Sequence, residues 1–142
     1  MIDHIAWHPF LVHFPIAFWL LGSLVLVAGT LTGRQPWLSV AWFLLALGGV
    51  TVIPAVLSGQ ADYAALSGEI NETLETHRDW GNALPWLMWV MIVLKAHNYF
   101  KKEGFKVKDW IWCIWGVAVS IGILYAGVLG GAYVYERAFA TH

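Results

Sequence analysis

Four apolar stretches divide the chain: Pro9–Leu31, Trp37–Leu57, Trp80–Phe100 and Trp110–Tyr133. At a rise of ~1.5 Å per residue each makes a helix of about 31–36 Å. That length crosses a hydrocarbon core of ~30 Å with modest tilt. Backbone in lipid must satisfy its own hydrogen bonds, and the alternation of a membrane barrel is absent, so these stretches are expected to be helices. The expected fold is all-α: an integral membrane four-helix bundle in a single domain, residues 1–142.

The connections refine this picture. Thr32-Gly33-Arg34-Gln35-Pro36 is a tight turn between antiparallel helices. Ser58–Asp79 is the one long polar segment, with Asp62, Glu69, Glu72, Glu75 and Asp79 against Arg78. Its Ala61, Ala64, Ala65 and Leu66 suggest a short amphipathic helix at the interface. Asn71-Glu72-Thr73-Leu74 reads as a helix start with acidic residues where the macrodipole favours them. The third helix is therefore expected to begin before the membrane, lifting His77 one to two turns above the apolar run. Pro9 suits the start of the first helix, and Pro15, which cannot donate to the carbonyl of Leu11, predicts a kink just below His13. In the last helix Gly116, Ser120, Gly122, Ala126, Gly127, Gly130 and Gly131 offer small residues for close approach of a neighbouring helix or a flat ligand. No internal repeat stands out.

Composition agrees. The chain is 59% hydrophobic and 12% charged, half the roughly 25% of soluble domains. A net charge of −1 gives no footprint for nucleic acid. The single cysteine, Cys113, excludes an intrachain disulfide and disfavours a Cys-based metal site. The first apolar run lacks a basic n-region and is too long for an h-region, so it reads as a retained span. Arg34, Lys95, Lys101, Lys102, Lys106 and Lys108 fall on one side, and only Arg78 and Arg137 on the other. The positive-inside rule places the six in the cytoplasm and both termini outside. Trp37, Trp80, Trp86, Trp110 and Trp112 read as interfacial anchors.

Candidate chemistry lies in the histidines. The stretch from His4 to Phe18 holds His4, His8 and His13 at the mouth of the first span, and an ionisable group at membrane depth is a functional-site hypothesis by default. This topology gathers His4, His8, His13, His77 and His142 on the outer side and leaves His97 on the inner. Asp62, following Gly59, can reach the same outer mouth.

His8-Pro9-x-x-Val12-His13-Phe14-Pro15-Ile16-Ala17, then Gly59-x-x-Asp62, then His77, then Gly130-Gly131-x-Tyr133-Val134-Tyr135 resembles the bacterial membrane family called domain of unknown function 2231. The resemblance covers nearly the whole chain. It implies a four-span membrane domain without a settled activity, and with the charge count the expected place is a bacterial inner membrane with both termini periplasmic. Similar members occur fused to Rieske iron–sulfur or cytochrome c-like domains, which suggests electron transfer with, here, a separate redox partner.

Three readings compete. In the first, the protein carries one haem b, with His13 and His77 as axial ligands facing inward at one depth. Gly81, and Gly127 or Gly130, would leave room for the porphyrin, and Arg78 and Arg137 would balance its propionates. In the second, His8, His13, His77 and Asp62 bind a bare Zn, Cu, Fe or Ni ion. His8 and His13, five apart, stand about 140° around a helix and could share an ion only if His8 lies in a non-helical cap. In the third, the histidines are structural: His8 caps the first helix, His13 bonds the carbonyl freed by Pro15, and His77 lies in solvent, in an interaction subunit.

Enzyme motifs such as G-x-S-x-G, H-E-x-x-H and phosphate-cradling loops are missing, so a non-catalytic role is expected. Cys-x-x-Cys-His is missing too, so a haem would be held non-covalently. The expected partners are the lipid bilayer, a periplasmic or membrane redox protein docked at the acidic segment, and a second copy in a homo-oligomer.

Overall fold

The computed structural model of the protein describes residues 7–66, 71–101 and 107–140, with side chains as far as Glu136 in the last stretch. Every element in it is helical: α1 Trp7–Leu11, α2 His13–Thr32, α3 Gln35–Ala64, α4 Glu72–Phe100 and α5 Asp109–Ala140. Three helical stretches are long and apolar enough to cross a membrane: Trp7–Thr32, Gln35–Ala64 and Asp109–Glu136. The helix α4 has the length but not the composition, since Asn82, Lys95, His97 and Asn98 interrupt its apolar run.

The helix boundaries follow local chemistry. Val12, between α1 and α2, keeps helical dihedrals and bonds His8 and Ile16 at 3.0 and 3.3 Å, and the one missing rung is at the carbonyl of Leu11, to which Pro15 cannot donate. Gly33 ends α2 with φ 65°, a left-handed cap that favours glycine. Pro36 sits in the first turn of α3, where a missing N–H costs nothing. The side chain of Asn71 accepts from the N–H of Leu74 at 2.9 Å, so the expected helix start is real. The expected separate interfacial helix is not: α3 runs on to Ala64 and takes Ala61, Asp62 and Ala64 with it. Pro54 inside α3 does not stop it.

The four long helices pack in a closed cycle, α2 on α3 and α5, and α4 on α3 and α5. Glycines set the spacing. A Cβ on Gly22 would meet Leu45 and Leu44 at 3.0–3.2 Å, and one on Gly29 would meet Leu38 and Trp37 at 2.9–3.2 Å, so α2 and α3 run nearly backbone to backbone. Gly48 receives Trp19 and Met88, and Gly122 receives Leu84 and Trp80. Trp19, Leu26, Leu45, Met88 and Met91 are the fully buried core between these faces. Trp37, Trp80, Trp86 and Trp110 are exposed, but Trp112 is not an interfacial anchor: it is buried, edge-on to Trp42.

Contacts along the helices fix their directions. His77, Leu84, Met91 and Lys95 of α4 meet Ala126, Gly122, Gly116 and Asp109 of α5, in opposite chain order. Met88, Asn82 and Arg78 meet Gly48, Gln60 and Tyr63 of α3, again in opposite order. One end of the structure therefore holds His8, His77 and the C-terminal half of α5. The other holds the 33–34 turn, Lys95 and Asp109.

Candidate functional site

At the first of these ends two imidazoles from different helices face each other. His8, in α1, directs Nδ1 at the carbonyl of Ala55 in α3, 2.8 Å away, with Ser58 Oγ at 3.4 Å. His77, in α4, directs Nδ1 at the carbonyl of Ala126 in α5, also 2.8 Å away. A carbonyl only accepts, so Nδ1 carries the proton and donates in both rings, and Nε2 of a neutral ring keeps its lone pair. The ring centres lie 6.3 Å apart with planes at 75°. Both side chains are half-buried.

The two halves are built alike. A Cβ added to Gly59 would stand 2.8 Å from Cε1 of His8, and one added to Gly130 would stand 2.9 Å from Cε1 of His77. Each imidazole therefore lies over a glycine and bonds the carbonyl four residues before it, in Ala55-x-x-x-Gly59 and Ala126-x-x-x-Gly130. The separations from histidine to alanine are 47 and 49 residues. Each of two helical hairpins thus contributes one histidine and its cradle.

The remaining sequence-predicted residues fall as follows. His13 is exposed, and its Nδ1 donates to the carbonyl of Pro9, not to the carbonyl of Leu11 that Pro15 frees. The structure brings His8, not His13, beside His77. The reason is helical phase: the chain is already helical at Trp7, so His8 and His13 point to different sides. Asp62 is exposed on α3, and among the described residues no three His, Cys, Asp or Glu side chains cluster closely enough to share an ion. The set His8, His13, His77 and Asp62 is therefore not drawn together. The guanidinium of Arg78 lies over the ring of Tyr63, 4.5 Å from its centre. Gly81 and Gly127 face open space, whereas Gly130 lies under His77. The side chain of Arg137, like His4 and His142, lies outside the described residues.

The residues that carry this geometry are also those of the opening histidine–proline motif, Gly59, His77 and the glycine pair of the last helix. A family model described as "Predicted membrane protein (DUF2231)" matches residues 4–142. The chain belongs to the DUF2231 family. Neither a curated protein nor a solved structure matches it. DUF2231 carries no assigned activity in its description, so the function of this member has to be argued from the paired histidines.

Proposed function

We propose that this DUF2231 protein is a membrane-bound b-type cytochrome-like electron carrier whose haem would be held by His8 and His77. The observation that carries the reading is the spacing of two preset imidazoles. The ring centres stand 6.3 Å apart, and a metal–nitrogen bond is about 2.0 Å, so both imidazoles would be near enough to hold one iron. A haem would ask the protein for two imidazoles, because its macrocycle supplies the other donors. A carbonyl on the far nitrogen is the usual orienting partner of a ligating histidine and raises its basicity. When bound, the haem would supply one-electron exchange; the protein's part is to hold two ligands and exclude water between the hairpins.

The reading includes four spans in a bacterial inner membrane, with both termini periplasmic. The helix α4 crosses as well, since the stretch from His77 to Lys95 lies antiparallel along α5 for about 27 Å. Lys95 sits at the inner boundary, where its ammonium pairs with Asp109 at 3.3 Å and lies near the rings of Trp42 and Trp112. That arrangement is how a lysine near a helix end reaches the interface. On the outer side Asp62, Glu72, Glu75 and Asp79 are exposed, a surface suited to a basic redox protein, while Glu69 lies outside the described residues.

The test is an oxidised-minus-reduced absorption spectrum of protein purified with haem available. A Soret band with sharp reduced bands is expected, lost in His8→Ala and in His77→Ala and kept in His13→Ala. A featureless spectrum at full haem supply sinks the reading. Stoichiometric Zn, Cu or Ni in elemental analysis of that sample would replace it with a bare ion site.

A further inference from the structure

We propose that Gly59 and Gly130, together with the carbonyls of Ala55 and Ala126, are positioning groups that preset His8 and His77 as Nδ1–H tautomers with crossed planes. This positioning role stands on the protein alone; its use in holding a haem rests on the function proposed above.

Each ring is held at two points. Its edge is fixed by the 2.8 Å bond from Nδ1 to a helix carbonyl. Its face is fixed by the glycine one turn on, where a Cβ would come within 2.8–2.9 Å of His8 and 2.9–3.1 Å of His77. Those distances are too short for a side chain, so only glycine lets the imidazole reach the carbonyl, which already serves the helix with one lone pair and keeps the other free. An imidazole free in water can rotate and exchange tautomers. Held edge and face, it does neither, and its Nε2 lone pair points in one direction. The two cradles belong to different helices, so the rings take the angle of their cradles, 75°.

The tautomers test this. In haem-free protein labelled with 15N-histidine in lipid nanodiscs, His8 and His77 are expected as Nδ1–H tautomers with bare Nε2. Gly59→Ala should release His8 alone to the Nε2–H form, and Gly130→Ala His77 alone. Gly127→Ala should change neither, because no atom lies within 4 Å of a Cβ there. Nε2–H signals for both rings in the unsubstituted protein overturn the proposal. The tautomers are read in haem-free protein and alone decide the positioning role, so a protein that takes up no haem overturns the function proposed above and not this role.

Discussion

At the scale of single residues, most hydroxyls of this apolar protein bond a carbonyl of their own helix, and one carbonyl also takes donors from a second helix. The carbonyl of Gly116 accepts from Ser120 Oγ at 2.7 Å, Ser23 Oγ at 3.2 Å and Trp19 Nε1 at 3.3 Å. It has two lone pairs, so these donors share it and none is essential. Ser23→Ala should therefore cost only about 0.6 kcal/mol, the average for an interhelical hydrogen bond in a membrane protein, read from reversible unfolding in mixed micelles. A loss several times larger would mean that Ser23 fixes α2 against α5 by itself. Ser120 was visible in the sequence as a polar residue deep in the last apolar run. Its sharing of one carbonyl with Ser23 and Trp19 was not, because that depends on which faces of α2 and α5 meet.

At the scale of elements, the same residue type has different consequences depending on what it faces. A methyl on Gly22 would press on the backbone nitrogen of Leu45 at 3.1 Å as well as on two side chains. A methyl on Gly49 would meet only Cδ1 of Ile92, at 2.6 Å, the far end of a side chain that can turn away. Gly22→Ala should thus lose about 1–3 kcal/mol by overpacking, and Gly49→Ala markedly less. Equal unfolding midpoints for the two variants would contradict the backbone-to-backbone fit of α2 and α3. Helix starts and stops were largely legible: Asn71 bonds Leu74 three residues on, Gly33 supplies a left-handed φ and Pro36 a missing donor, and each is a local property of the sequence. The extent of α3 was not, because a polar surface and a helix can coexist once the chain leaves the apolar zone.

At the scale of the whole molecule, the directions of the helices and the charge count argue together for one orientation. In a Cys113→Ser background, a single cysteine introduced as Arg34→Cys should react with an impermeant maleimide only from the cytoplasmic face, and one introduced as Leu66→Cys only from the periplasmic face. Reactivity of both from one side would remove the four-span reading. The acidic end makes a second prediction at this scale. Neutralising Glu72 and Glu75, both exposed in the first turn of α4, should slow electron transfer with a basic partner at low salt by reducing electrostatic steering. An unchanged rate and salt dependence would exclude docking there.

By itself the sequence determined the helical, membrane-crossing character of the chain, the turn at Gly33 and Pro36, the helix start at Asn71 and its family. All of these depend on composition, on period, or on partners within a helical turn. Only the tertiary structure decided which histidines meet. His13 looked the better partner for His77 by depth, yet helical phase turns it outward, and His8 reaches Ala55 and Gly59 across 47 and 51 residues of chain. Pairing of that kind is set by how two hairpins lie against each other. That packing depends on steric fit along four helices at once, and no local window of the sequence carries it.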